Sequence, residues 1–237
     1  MSSKSKKKWK QMFEDVLARF VHTLPSSEKE SERLFIQLEQ AHWFYEDHVR
    51  AKNKNLPKMA LRDFCLKAFD VVDFLRPEKS KFEAHWLNFK QYLKKVPTCG
   101  AIILNQKLSK VVMVQAYNTD VWAFPKGKIN RNEEPKECAI REVMEETGLD
   151  IAEYVRPKGV PMLEGQDEKT GRIIRLYIVR GYPEDCEFET QTVKEISAIE
   201  WIPIKKIQDF FFNRRGSKPS KEFWPIKEFF PCLKAWI

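Results

Sequence analysis

The chain has 237 residues, with 42 Lys and Arg against 34 Asp and Glu for a formal charge of +8, and 13% of its residues are aromatic. That aromatic content excludes a wholly disordered chain, the length allows two domains with separate cores, and the positive excess points to a polyanionic partner. No apolar run is long enough to span a bilayer, and the residues after Met1 lack the apolar stretch of a secretory signal.

The lysines from Lys4 to Lys10 suit a nuclear signal, an RNA-binding arm or a disordered tail, the last being the favoured reading. From Trp9 to about Lys95 apolar residues recur at helical spacing, which predicts helices in MFEDVLARFVHTL, ERLFIQLEQAHWFYEDHV, MALRDFCLKAFDVV and KFEAHWLNFKQYLKK. Pro25, Ser26 and Ser27 break the first from the second, with Ser27 and Glu30 spaced as a capping box, and Leu75 to Pro77 break the third from the fourth. The result is an all-helical N-terminal domain over residues 1–95, closed by a short linker around Lys94 to Pro97.

After Pro97 the pattern changes to short β-branched runs. CGAIILN and KVVMVQAY are predicted as a strand pair, VWAFPKGK as a strand entering a loop, and Asn132 to Thr147 as a helix with Pro135 in its first turn and Gly148 as its stop. GVPMLEG, IIRLYIVRGY and AIEWIPI read as further strands, and IKKIQDFF and EFWPIKEFFPCLKAWI as closing helices of a second domain over residues 96–237. Cys65, Cys99, Cys138, Cys186 and Cys232 are odd in number and form no CxxC pair, so they read as reduced thiols of the cytoplasm or nucleus. His22, His42, His48 and His85 show no metal-ligand spacing.

The chemistry concentrates between Gly127 and Leu149. On a helix Glu142, Glu145 and Glu146 stand at i, i+3 and i+4, so three like charges share one face, an arrangement that calls for a cation, and hard oxygen ligands in that number suit Mg²⁺ or Mn²⁺. Lys126 and Lys128 flank Gly127, where flexible point charges would meet phosphate oxygens.

The order of Gly127, Glu133, Arg141-Glu142, Val143, Glu145-Glu146 and Gly148-Leu149 matches the signature of the Nudix hydrolases without a departure. This resemblance implies an α+β protein in which an all-helical N-terminal domain precedes a Nudix α/β/α sandwich with a mixed sheet and basic C-terminal helices. It implies pyrophosphate hydrolysis with metal on Glu142, Glu145 and Glu146, and a salt bridge between Glu133 and Arg141 that pins the loop to the helix beside Gly127 and Gly148.

Outside the signature, the lead-in Phe124 to Lys128, the two-domain layout and the string AHWFYEDHV resemble the catalytic subunits of mRNA decapping complexes. That resemblance implies cleavage of the 7-methylguanosine cap to 7-methyl-GDP and 5′-monophosphate RNA by a cytoplasmic enzyme of mRNA decay. It implies further that the helical domain docks an activator subunit and closes on the Nudix domain. Trp43 and Asp47, one helical turn apart, would stack on the cationic base and accept hydrogen bonds from its edge, although such an aromatic run also suits a helix docked in a core. TVKEISAIEW is similar to the segment that carries a further glutamate, here Glu195, as a metal ligand or general base; Glu145 is the alternative base, and Lys128 completes the catalytic candidates.

From Ile202 to Ile237, Lys205, Lys206, Arg214, Arg215, Lys218, Lys221, Lys227 and Lys234 stand against three acidic residues, a stretch whose counterpart in that family guides the RNA body. Two competing readings share the sequence: a Nudix pyrophosphatase for free nucleotides or dinucleoside polyphosphates, and a non-catalytic cap- or RNA-binding scaffold.

Overall fold

Six phenylalanines are among the buried residues of the first core. The computed structural model describes residues 3–25, 32–192, 195–212 and 221–237, the first six of them by backbone alone, and its contacts divide the chain into Met1–Lys94 and Lys95–Ile237. The first unit comprises α1 (Ser3–Leu17), α2 (Glu32–Phe44), α3 (Leu61–Val71) and α4 (Phe82–Lys95). Phe13, Phe35, Phe64, Phe69, Phe82 and Phe89 are all buried, with Phe13 edge-on to Phe64 at 4.8 Å and Phe35 stacked on Phe89 at 5.2 Å.

Two expectations change here. The lysine-rich start is helical from Ser3 rather than a tail, because no Gly, Pro or β-branched residue interrupts the run leading into Phe13. The helices do not run on as α-helix: Ala18–His22 and Tyr45–Arg50 are π-helical turns. The capping box of Ser27 and Glu30 lies outside the described residues.

The second unit is a mixed sheet between two helical layers. Its strands are β1 (Thr98–Asn105), β2 (Lys110–Ala116), β3 (Trp122–Ala123), β4 (Lys126–Lys128), β5 (Met162–Gln166), β6 (Ile173–Tyr182) and β7 (Ile196–Pro203). The main path runs β3-β2-β1-β6-β5, with β7 paired to β2. β1 and β6 are parallel, while β1–β2, β2–β3, β2–β7, β1–β4 and β5–β6 are antiparallel. All eight residues of β1 are buried, as befits a strand covered on both faces. Cys99, Ala101 and Ile103 face α5 (Pro135–Thr147) and α6 (Ala152–Val155), while Ile102 and Leu104 face α7 (Ile204–Phe212) and α8 (Phe230–Trp236).

One edge of β1 is shared. Near its end it pairs with β2, Leu104 opposite Val111, and at its start with β4, Cys99 opposite Gly127. The crossing requires Gly100, where an added Cβ would lie 2.1 Å from the Pro125 carbonyl oxygen. The same carbonyl accepts the Ala101 N–H at 3.1 Å, so the loop that carries Gly127 is fastened to the central strand.

Helix α5 begins at Pro135, not Asn132, because Asn132 adopts a left-handed φ of 58° and Pro135 fits the first helical position. The closing segment is not one basic helix. Pro225 and Pro231 divide it into a 3₁₀ turn at Trp224–Ile226 and α8, since neither proline can donate within a continuous helix.

At the C-terminus of α5, Gly148 has φ 75° and its N–H reaches the Met144 carbonyl at 2.8 Å. Glu189 and Gln191 donate their N–H groups to the Thr147 and Glu145 carbonyls at 3.0 and 2.8 Å, satisfying the last turn. A Cβ at Gly148 would be strained in conformation and 2.7 Å from the Glu189 oxygen. Gly148→Ala is therefore expected to lower the unfolding free energy by about 1–3 kcal/mol. Chemical denaturation checks this, and a change below about 0.5 kcal/mol would contradict it.

Candidate active site

The carboxylates of α5 stand over the strand that Gly127 keeps bare. An added Cβ at Gly127 would lie 2.0 Å from Glu142 Oε2, so glycine is what admits that carboxylate against β4. The sheet-facing side of the helix is Cys138, Ala139, Val143 and Thr147, all buried, which fixes the rotation of the helix and brings the glutamates to the edge of the sheet.

Arg141 holds the charges together. Its Nε and Nη2 donate to Glu133 Oε1 and Oε2 at 2.7 and 2.9 Å, and its Nη1 donates to Glu142 Oε1 and Glu145 Oε2 at 2.7 and 3.1 Å. Nη2 also reaches the Lys128 carbonyl at 3.1 Å. One guanidinium thus ties three carboxylates and the β4 backbone into a single network. The Asn130 N–H adds a bond to Glu133 Oε2 at 2.7 Å, closing the loop ahead of α5.

Glu146 is separate from that network. Its Oε2 accepts the Lys126 N–H at 2.9 Å, and burial pushes its carboxyl up to about 8 against the opposing effect of Lys126. Burial likewise raises Glu142, despite its bonds to Arg141. Glu195 lies within electrostatic range of this group: its carboxyl is raised by burial and by the charge of Glu145, with Lys128 opposing.

Among the described residues no group of three or more His, Cys, Asp or Glu side chains is placed to hold a metal ion. The reason is local: Arg141 Nη1 bonds Glu142 and Glu145 together, while Glu146 turns to the Lys126 amide. Burial holds the Lys126 ammonium below the ordinary lysine value even with Glu146 beside it. The donor set nonetheless fits a hard divalent cation, because it offers carboxylate oxygens whose burial makes their unshared negative charge costly.

In the first unit, Trp43 is 52% exposed and Asp47 is exposed, whereas Tyr45 is buried and donates its hydroxyl to the Pro57 carbonyl at 2.7 Å. The core role that the aromatic run allowed for thus falls to Tyr45, leaving Trp43 in solvent. The Met59 N–H donates to Glu46 Oε1 at 3.3 Å, so the chain after this turn is fastened back onto the helix.

The basic residues of the closing segment differ among themselves. Lys205, Lys206 and Lys227 are exposed. Lys221 is engaged, its Nζ 3.5 Å from the centre of the Trp122 ring and 2.6 Å from Glu200 Oε1. Lys234 lies over the Phe212 ring at 5.8 Å. Arg214, Arg215 and Lys218 lie outside the described residues.

Residues 11–92 match the family model described as the Dcp2, box A domain, and residues 94–223 match that of the NUDIX domain. The chain is 39% identical over 96% of its length to the mRNA decapping complex subunit 2 of Schizosaccharomyces pombe, covering 30% of that protein. It is 32% identical over 96% of its length to the mRNA-decapping enzyme subunit 2 of Arabidopsis thaliana, covering 61% of it. To the m7GpppN-mRNA hydrolase of Saccharomyces cerevisiae it is 30% identical over 95% of its length, covering 22% of that protein. The chain therefore spans only part of each of these relatives.

Glu133 carries the clearest stability consequence of this network. Burial alone would raise its carboxyl, but Arg141 and the Asn130 N–H outweigh that and hold it below its ordinary value of 4.5. A carboxyl depressed by folding contributes stability that is present above its ordinary pKa and is lost as pH falls through the lower folded value. Glu133→Gln should cost about 2 kcal/mol at neutral pH, with the gap from wild type closing as pH falls below the ordinary value of 4.5 and through the lower folded one. Denaturant midpoints across that range check it, and a gap that widens in acid would count against the pairing.

Proposed function

The chain belongs to the Nudix hydrolase family, in the group that places a Dcp2 box A domain ahead of the NUDIX domain, and from that premise we propose that it removes the 5′ cap of messenger RNA. The observation that carries this reading is Glu142 drawn against Gly127 and bridged to Glu145 by Arg141, with Glu146 held beside them by the Lys126 amide. Names given to the relatives supply the substrate class: decapping enzyme subunit 2 and m7GpppN-mRNA hydrolase.

In this reading Glu142, Glu145, Glu146 and Glu195 hold Mg²⁺ or Mn²⁺, the first two in exchange for the shared Nη1 of Arg141. The bound ions would neutralise pyrophosphate charge and lower the pKa of the attacking water. Glu133 and Arg141 fix the loop and keep the glutamates in register. Glu145 or Glu195 takes the proton of the water that attacks the phosphate on the RNA side, and the products are 7-methyl-GDP and RNA with a 5′-monophosphate. Lys128 supplies positive charge to the phosphate oxygens, while Lys126 acts through the amide that orients Glu146. Trp43 and Asp47 hold the 7-methylguanine base by stacking and edge hydrogen bonds, which the exposure of both side chains supports.

The exposed Lys205, Lys206 and Lys227, with Arg214, Arg215, Lys218 and Lys221, are proposed to meet the RNA backbone. The helical unit is proposed to dock an activator, consistent with a relative named as a subunit of a decapping complex, and the protein to work in the cytoplasm.

Product identification from cap-labelled RNA tests the assignment. Release of 7-methyl-GDP should require Mg²⁺ or Mn²⁺, stop on chelation, and fall about 100-fold or more in Glu146→Gln while RNA binding persists. Faster turnover of a free cap analogue than of capped RNA would overturn the substrate, and full turnover by Glu146→Gln would overturn the site. Trp43→Ala should weaken binding of 7-methyl-GDP by about 10- to 100-fold, as measured by fluorescence titration. Unchanged affinity would remove the base from that surface.

A further inference from the structure

Glu195 lies two residues before a fault in the ladder between β2 and β7. Gln115 is opposite Ala198, but the next residue, Ala116, is opposite Ile196, so Ser197 is an additional residue on β7 with no partner on β2. Such a bulge displaces every side chain beyond it by one position, and bulges of this kind re-aim residues beside sites of chemistry. Here Ile196 regains a partner in Ala116, and Glu195 is the next residue beyond it.

The bulge is held by the turn that follows β2. The Asn118 N–H donates to Ser197 Oγ at 3.1 Å, and the Tyr117 N–H donates to the Glu195 carbonyl at 2.8 Å. Asn118 adopts a left-handed φ of 56°, a conformation Asn tolerates better than most residues. The turn is closed on itself by the Thr119 hydroxyl and N–H, both donating to the Ala116 carbonyl, and by the Gln115 side-chain amide on the Thr119 carbonyl. Two consecutive amides of a braced turn thus hold the peptide of Glu195 and the hydroxyl of Ser197.

We propose that Ser197, with the Tyr117–Asn118 turn, is a positioning device that sets Glu195 toward Glu145 and Glu146. This rests on the role given to Glu195 above. Ser197 touches no reacting atom in this scheme and acts through the placement of Glu195. A straight β7 would carry Glu195 one position out of register, and a misplacement of that order costs about 100-fold in rate.

The test combines single-turnover decapping with hydrogen exchange on the metal-free chain. Deletion of Ser197 should lower kcat about as far as Glu195→Gln does, about 100-fold, with KM for capped RNA within about twofold, and should cause no further loss in a Glu195→Gln background. The milder Ser197→Ala should lower kcat by about 3- to 10-fold, with recovery in Ser197→Thr, which keeps the hydroxyl. In Ser197→Ala the Tyr117 amide should exchange about tenfold faster without metal or RNA present. The proposal is overturned if Ser197→Ala or the deletion costs as much in the Glu195→Gln background as in wild type, or if exchange at Tyr117 is unchanged. Full activity of Glu195→Gln would be a different failure: it would remove the role of Glu195 itself, and the positioning of that residue with it.

Discussion

The guanidinium of Arg141 is the interaction on which the second unit's chemistry depends. Glu133, Glu142 and Glu145 are brought near one another by a loop and a helix that have no reason to tolerate three negative charges, and Arg141 bonds all three. Without it, mutual repulsion and partial burial would drive the side chains apart into water. With it, the carboxylates stay close together, and burial still holds Glu142 above its ordinary value despite its bonds to Arg141. Stability and chemical purpose are in tension at this point, and the helix resolves it by lending a cation of its own.

The backbone provides the rest. Gly100 lets the Pro125 carbonyl press against β1, the Ala101 N–H fastens it there, and Gly127 then lies opposite Cys99 with no side chain to exclude Glu142. Glycine matters at both positions for clearance, not for an unusual φ. At the far end of α5 the segment from Glu189 to Gln191 covers the last turn, so the helix that carries the glutamates is fixed at both ends. Rigid placement of this kind is what electrostatic chemistry requires, because groups that need not reorganise during reaction are worth more.

Much of this was legible in residues. The short apolar run of β1 marks a strand buried on both faces, the i, i+3, i+4 spacing of the glutamates follows from helical periodicity, and Gly148 ends α5 with the left-handed conformation its position suggests. What escaped is set by contacts between distant segments. The π-helical turn at Tyr45–Arg50 has the same apolar spacing as an α-helix over so short a run, and Gly100 gives no local sign of a strand crossing. Ser197 stands in a run that scans as an ordinary strand, with the adjacent apolar pair Ala198 and Ile199 the one hint of a broken alternation. Pro225 and Pro231, by contrast, were visible signs that the closing segment could not be one helix.

The central claim is that Arg141 holds a carboxylate group that a divalent cation completes. Titration of Mn²⁺ into the whole chain, followed by electron paramagnetic resonance in the absence of RNA, measures this without reference to turnover. The account requires saturable binding in wild type and its loss when Glu142 and Glu146 are both replaced by Gln. Equal binding by wild type and the double variant would contradict it.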